Sequence, residues 1–452
     1  MTQRALAAAL VLTLASVAGA DRVRAAAGPV LTLREAVEQA LREGTDAKLA
    51  RLETGQANAA LGRARSVFWP SAGVTSNAGW SNRTDDTINA INGRGELKRY
   101  PLSSLGSNES WLSVYIDQVL FDLRQWRGVE RTRLESEVAV VQATQRRETI
   151  SYAVLQEYIA LVRAERLAAL DAQRVTDAEW LDRQTATLME AGRVLASDRE
   201  QAALALEEAR IEAAARAQEV AEHRDALWRA ISSEPVPPEL EVAPESVPHP
   251  MLPAEPPIEQ SLSGLPELRI LDLRRRMEEA SLDAARAEFY PTLSMRGGYF
   301  HYGTRRFDAF ESELAIGVDL HIPVFDGFRS TNAVEGASEA LEAARLRYDS
   351  TRASKRARLQ ELARQLATTA KQPELAERRA RLAEERQRLA DVALQSQRGS
   401  LAQSVTAREE AIRARRAATE AYFDRVMLWA DYEREAGTLA CALVGPEPAA
   451  AP

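Results

Sequence analysis

The sequence contains one cysteine, Cys441, and four scattered histidines in 452 residues. A lone cysteine cannot form an intrachain disulfide, and its position near the C-terminus excludes an N-terminal lipidated cysteine. His223, His249, His301 and His321 show no HxxxH or HExxH spacing, so no metal site is expected. There is no GxxxxGKS/T phosphate loop and no GxGxxG fingerprint, so no nucleotide cofactor is expected either. Carboxylate pairs such as Glu207-Glu208 and Glu409-Glu410 sit in polar helical patterns and read as solvated or inter-helix faces. Nothing here points to an enzyme. Excess positive charge is also lacking: 58 Lys+Arg against 66 Asp+Glu give a net charge of −8. That argues against nucleic acid as a partner, because phosphate binding needs a basic face.

Long hydrophobic runs are missing beyond the N-terminus. No later segment holds eighteen uninterrupted apolar residues, so no transmembrane helix is expected. Residues 1–20 read as a signal peptide. Arg4 supplies the positive start, Ala5 to Ala20 is apolar, and Ala18 and Ala20 fit a small-residue cleavage site before Asp21. The alternative reading of this stretch is an N-terminal membrane anchor. An exported chain is expected to be periplasmic, secreted, or inserted in a membrane as strands.

Proline is scarce except in one place: nine of the 19 prolines fall within residues 233–258. Proline lacks a backbone donor and fixes φ, so this stretch reads as an extended linker between two halves. The halves resemble each other. ARSVFWP at Ala64–Pro70 matches ARAEFYP at Ala285–Pro291, and Leu120-Phe121-Asp122 matches Val324-Phe325-Asp326. Gly192-Arg193-Val194-Leu195 then matches Gly399-Ser400-Leu401-Ala402. Matches in the same order at similar separations indicate an internal duplication.

The first repeat is placed at 31–232, with a helix, strands at 71–82 and 109–120, and a helical hairpin at 122–232. The second is placed at 259–437, with a helix, strands at 292–303 and 312–324, and a hairpin at 326–436. A tail follows at 438–452. In the first hairpin, Leu134, Val138, Val141, Val154, Leu155, Tyr158, Leu161 and Val162 recur at three- and four-residue spacings. Such a stretch, roughly 100 Å long if continuous at ~1.5 Å per residue, implies coiled-coil packing. Gln372-Pro373 should break the second hairpin. The first half also carries a longer inter-strand loop, SNRTDDTINAINGRG, rich in turn-forming residues.

The strands alternate. Leu314, Ile316, Val318, Leu320, Ile322 and Val324 share one face of their segment, with Ala315, Gly317, Asp319 and His321 on the other. In the first half, Leu112, Val114, Ile116 and Leu120 oppose Ser113, Tyr115 and Asp117. Each segment approaches the ~9–11 residues of a tilted membrane strand. Windows 68–121 and 289–328 hold 16 of the 26 aromatics, the distribution of an interfacial girdle. Leu112, Val114, Ile116, Leu314, Ile316, Val318 and Leu320 are therefore expected to face lipid. Four strands cannot close a barrel around a pore, so several copies must complete it. His321 lies on the polar face, as a pore-lining or an ordinary surface residue.

Together these features resemble the TolC-like outer membrane efflux protein family. The likeness rests on LTLREAVEQALREG at Leu31–Gly44, the two ARxxFxP stops, and the QVLFD and IPVFDGFR junctions. The turns AGRVLASDREQA and QRGSLAQSVTAREEA add to it. The resemblance implies a mainly α fold of two tandem helix–strand–strand–helix repeats. It also implies a homotrimer with a 12-stranded barrel in the outer membrane and a helical tunnel in the periplasm. The partners implied are outer-membrane lipid, a periplasmic adaptor and an inner-membrane pump. Docking would fall on the tip turns at Gly192, Arg193, Leu195, Asp198, Arg398, Gly399 and Leu401. The sequence departs from the family where half two has Val405 six residues after its tip glycine; half one has the acidic Asp198 there. The competing class is a periplasmic coiled-coil adaptor, which needs one hairpin only.

Overall fold

Alternating strands bounded by aromatic-proline stops fold here as one antiparallel sheet. The computed structural model describes residues 30–79, 87–91, 97–101, 109–192, 194–232, 234–235, 237, 240–248, 258–303, 310–396 and 398–445. Residues 1–20, read as a signal peptide, lie outside these. The chain divides into two compact units.

The first unit comprises Glu53–Val140 and Ile270–Asp349. Its strands are β2 (Ser71–Gly79), β5 (Glu109–Phe121), β7 (Thr292–Gly303) and β8 (Phe310–His321), with β3 (Thr87–Ile91) and β4 (Leu97–Pro101) paired as a separate hairpin. The sheet order is β2-β5-β7-β8, antiparallel throughout. The two repeats thus meet along β5–β7, and β2 and β8 are the outer strands. Helix α2 (Thr45–Ser66) feeds β2, and α6 (Pro266–Ala287) feeds β7. Each helix ends in a tight turn at the aromatic stop: Trp69 N–H donates to Ser66 O at 3.0 Å, and Tyr290 N–H to Ala287 O at 3.1 Å. β5 passes into α3 (Leu123–Glu190) at Asp122, whose carboxylate accepts the Arg124 N–H at 2.9 Å. That bond satisfies an orphan helix donor.

The second unit comprises Met1–Leu52, Val141–Arg269 and Ser350–Pro452. It holds α1 (Leu33–Glu43), α4 (Ala196–Ile231), α5 (Ile258–Gly264), α8 (Gln372–Gln395), α9 (Leu401–Ala436) and α10 (Leu439–Val444), and shares α2, α3, α6 and α7 (Arg329–Thr368) with the first. Its densest core lies on α3, where Val154, Leu155, Tyr158, Leu161 and Val162 are wholly buried. Their spacing put them on one helix face. The Tyr158 hydroxyl ties the core to a short parallel pair, β1 (Val30–Leu31) with β6 (Glu241–Val242). It lies 2.9 Å from Leu31 O, 2.9 Å from Ala243 O and 2.7 Å from Ser246 Oγ, and it accepts the Ala243 N–H at 3.0 Å. Burial pushes its pKa up, so it stays a protonated donor. Lys355, inside α7, reaches Glu267 in the first turn of α6 and Glu435 in the last turn of α9, each at 2.8 Å.

Several elements differ from the sequence reading. The linker at 233–258 is not merely extended: it contains β6 and a 3₁₀ turn at Pro244–Ser246, held by the Tyr158 cluster. The tail at 438–452 includes α10, whose Ala440 N–H donates to Glu148 at 3.0 Å and whose Val444 carbonyl accepts from Arg34 at 2.8 Å. The polar inter-strand loop contains β3 and β4. β8 ends at His321, so Ile322 and Val324 lie beyond the sheet, next to Pro323, which has no donor. A bulge at Leu120 shifts the register, so Phe121 pairs with Leu293 and Leu120 leaves the face of Leu112, Val114 and Ile116. The helix does break next to Gln372-Pro373: α7 ends at Thr368, and Gln372 and Pro373 open α8.

Replacing Tyr158 by Phe removes one hydroxyl and leaves buried backbone groups unpaired. The expected loss is about 1–3 kcal/mol. The Tyr158→Phe protein should melt several degrees lower than the parent, whereas Tyr290→Phe, on an exposed ring, should not shift the transition. Equal melting temperatures would show that the hydroxyl is dispensable to the fold.

Candidate functional site

Two regions carry the candidate functional residues, one in each unit. In the sheet, register assigns every side chain to a face. Val74, Val114, Tyr299 and Leu314 form one cross-strand row, and Ala72, Ile116, Gly297 and Ile316 form the next. All seven residues expected to face lipid fall on this side. They are exposed in the single chain: Leu314 and Ile316 are each 75% accessible. A contiguous apolar face left uncovered marks an interaction surface.

The opposite face is built of Ser71, Gly73, Ser113, Tyr115, Asp117, Arg296, Gly298, Gly317 and Asp319. Arg296 Nε donates to Asp117 at 2.6 Å across the β5–β7 seam. Two rings lie over glycines. A Cβ at Gly73 would sit 2.5 Å from the Tyr115 ring, and one at Gly298 would sit 2.9 Å from Phe300. Glycine here admits a ring flat against the backbone. His321 is exposed at the end of this polar face, among its small and charged residues.

In the other unit, α3 turns into α4 and α8 into α9. Gly192 has φ 69°, the left-handed conformation that favours glycine, and donates its N–H to Met189 O at 2.9 Å. Gly399 is favoured for a different reason. Its φ is not positive; a Cβ would lie 3.0 Å from Ala393 Cβ, a tight contact that a side chain could make only if Ala393 shifted. Arg398 is exposed, while Arg193 lies outside the described residues. Leu195 is exposed and caps α4, its N–H donating to Asp198 Oδ2 at 2.9 Å. Asp198 is thus a capping carboxylate. Its positional counterpart on α9 is Gln403, not Val405: Ser400 N–H donates to Gln403 Oε1 at 3.1 Å, and Gln403 N–H to Ser400 Oγ at 3.2 Å. Leu401 opens α9 and is half-buried.

What sequence reasoning missed is the ion-pair ladder behind these turns. Arg408 on α9 binds Asp177 on α3 and, at 2.9 Å, Asp391 on α8, and its guanidinium lies 4.4 Å from the centre of the Trp180 ring. Ser404 Oγ donates to the same Asp391 at 2.5 Å. Deeper in, the buried Asp171 accepts from Arg216 of α4 and Arg416 of α9. The acidic group at the second turn therefore comes from α8. No local motif announces these pairs, because each joins residues on different helices.

α4 pairs with α3 and α8 pairs with α9, while Arg408–Asp177 and Arg416–Asp171 couple the two hairpins. On α8 the packed seam uses Ala380 and Ala383, yet Leu375, Leu382 and Leu389 recur every seven residues on an exposed stripe. On α4 the seam uses Ala202 and Ala209, and Leu204 and Ile211 form a parallel exposed stripe. A second apolar seam on a helix calls for a second neighbour.

Residues 258–426 match the family model described as outer membrane efflux protein. The CusC channel superposes with a TM-score of 0.72 at 16% identity, covering 90% of this chain and 92% of that chain. The chain has the outer-membrane efflux channel fold. The Campylobacter jejuni CmeC outer membrane channel gives 0.73 at 17% identity over 93% of this chain and 87% of that one. The open-state MtrE outer membrane channel of Neisseria gonorrhoeae gives 0.70 at 18%, with coverage of 90% and 89%. No curated relative matches the chain in sequence. Within the efflux-channel fold, the sheet and the helical hairpins are the parts just described.

Arg408→Ala would leave Asp177 and Asp391 in a low-dielectric seam without their cation. Breaking such a pair costs on the order of 3 kcal/mol. The expected outcome is faster amide hydrogen exchange on α9 and the facing turn of α3, with exchange around Tyr158 unchanged. Unaltered exchange at α9 would mean that the ladder does not hold the hairpins together.

Proposed function

We propose that the chain is the outer-membrane channel of a tripartite export system, conducting solutes passively from the periplasmic side to the exterior. The observation that carries this reading is the uncovered apolar face of a sheet whose outer strands, β2 and β8, each have one neighbour among the described strands. In hydrocarbon every backbone polar group must be paired within protein, so an open sheet crosses a membrane only after closure. β2 of one copy pairing with β8 of the next closes it. Two copies supply eight strands, which side chains fill; three supply twelve, enough for a wet lumen. The stripes on α4 and α8 support the same head-to-tail ring, one seated on the other in the next copy.

Leu112, Val114, Ile116, Leu314, Ile316, Val318 and Leu320 then face lipid, and the small and charged face lines the lumen. The chain supplies a conduit, not a reaction, so energy comes from an inner-membrane pump through an adaptor. The turns at Gly192, Leu195, Arg398, Gly399 and Leu401 are where that adaptor docks. Asp198 holds the first turn in shape, and Arg193 belongs to the same loop.

Purified protein added to a planar bilayer should give stepwise conductance. Ile316→Arg, which would cost about 2–4 kcal/mol at the bilayer midplane, should abolish insertion, whereas Ala315→Arg on the opposite face should insert and alter conductance. Equal tolerance of arginine on both faces, or no conductance steps from the parent, would sink the reading.

A further inference from the structure

The first turns of α3 carry a row of arginines that the second repeat lacks. Arg124, Arg127 and Arg131 follow spacings of three and four, so they share one face of the helix. Matching Asp122 to Asp326, as the duplication does, puts Phe328, Thr331 and Glu335 at the corresponding positions. The connection from strand to helix therefore does not call for the row. Arg124 also stands in the first turn of α3, a turn without an acidic residue, where the helix dipole disfavours a cation.

The three side chains wall a groove of about 360 Å³ between α3, α6 and α7. The rest of the lining is mostly small, with Gly128, Ala280, Ala284, Ala333 and Ala337 among it. Packing does not demand the glycine, because a Cβ at Gly128 would meet nothing within 4 Å. Glycine inside a helix is less stable than alanine there, and here it leaves only open space.

The arginines face that space without closing on an acid. Arg124 lies 3.4 Å from Asp122, Arg127 3.5 Å from Asp283 and Arg131 3.3 Å from Glu135. Each contact exceeds the ~3.2 Å of a good N–H···O bond. Elsewhere arginines that join elements do close: Arg296 meets Asp117 at 2.6 Å, and Arg408 meets Asp391 at 2.9 Å. One carboxylate lines the groove, Glu288, and it accepts the Ser330 hydroxyl at 3.1 Å. A guanidinium presents five donors in a planar fork that matches phosphate and carboxylate oxygens. Three such forks along roughly 10 Å of helix suit an anion with more than one of these groups.

The sheet order β2-β5-β7-β8 and the strand–helix connections set α3 and α6 between α2 and α7. The groove thus lies within one copy, away from both edge strands. At 3.6 residues per turn the arginines span an arc of about 60°, and Trp126 lies about 140° from its centre. Trp126 is 61% exposed and packs on Phe68 with ring centres 5.2 Å apart. On the channel reading, which a lumenal placement requires, the indole takes the lipid side and the groove opens on the lumen.

We infer that the Arg124–Arg127–Arg131 groove is a binding site for anionic solutes in transit, those bearing two or more phosphate or carboxylate groups. Each copy contributes one groove, so a ring of copies sets a belt of guanidinium groups where the helices leave the sheet. That belt favours anionic over cationic cargo.

Inorganic pyrophosphate, as its potassium salt, is the probe. Full-length protein is inserted in a planar bilayer under a gradient of dilute potassium chloride, and conductance and reversal potential are read as pyrophosphate is added. A lumenal anion site lets pyrophosphate reduce the conductance of the parent. The double variant Arg127→Gln, Arg131→Gln should raise the half-blocking concentration at least tenfold and move the reversal potential toward cation selectivity. Arg133→Gln, whose contacts are with Glu130 and Glu137 on its own helix, should change neither. Gly128→Leu keeps every arginine, favours the helix and fills the groove. It should also raise the half-blocking concentration, without lowering the melting temperature. Block and reversal potential equal in the parent and the double variant would overturn the inference, as would an unchanged half-blocking concentration in Gly128→Leu. Phosphatidylglycerol retained by the detergent-washed parent and lost from the double variant, with the block unaltered, would turn the groove to the membrane and overturn it too. If the parent gives no conductance steps, the channel reading falls and the anion site with it. If the parent conducts and pyrophosphate acts alike on parent and double variant, only the anion site falls.

Discussion

A sheet of four strands with one apolar face uncovered and two unpaired edges cannot be the end state of a folded chain. Every edge N–H and C=O must find a partner before the apolar face can enter hydrocarbon. The other candidate features follow from that demand. In the proposed channel a second copy stands on each side of the sheet, and the second apolar seams on α4 and α8 would take the same neighbours. In that proposal a head-to-tail arrangement answers both needs at once, and it ends as a closed ring when the rotation between copies closes. Inside a copy, the β5–β7 seam joins the two repeats. Arg296 and Asp117 bridge that seam on the polar face.

The helical unit solves a different problem. Long Ala-rich helices bury little side-chain area per turn, so their hairpins need specific cross-links. Arg408 and Asp171 supply them, each reaching two helices besides its own. Removing one partner of such a buried pair leaves an uncompensated charge. The Tyr158 cluster and Lys355 add cross-links away from the turns. Caps at Asp198 and Ser400 fix where each returning helix begins, which places the turns that an adaptor would meet.

Much of this was legible in the sequence, for identifiable reasons. The period of two in Leu314–Leu320 and the three-four spacing through Val154–Val162 record which faces are buried or uncovered. The aromatic-proline stops and Phe-Asp junctions are local chemistry, and the duplication exposes both twice over. The mainly α fold with a small sheet follows from these, and two hairpins per chain leave the single-hairpin adaptor behind. What stayed hidden depends on contacts distant in sequence. The linker's β6 exists because Tyr158 waits for it, and α10 because Glu148 and Arg34 hold its ends. Gly399 sits at a turn where Ala393 leaves little room for a side chain, a closeness that no local pattern announces. The counterpart of Asp198 is Gln403, because capping geometry counts from the helix start and not from the glycine.

The central claim is that open edges are closed by further copies of the chain. Its most direct test is the mass of the protein extracted from membranes in mild detergent, measured by native mass spectrometry. The account predicts one species at three times the mass of the processed chain. A monomer that stays soluble once detergent is removed would contradict it, because the apolar face and both edges would then be stable in water alone.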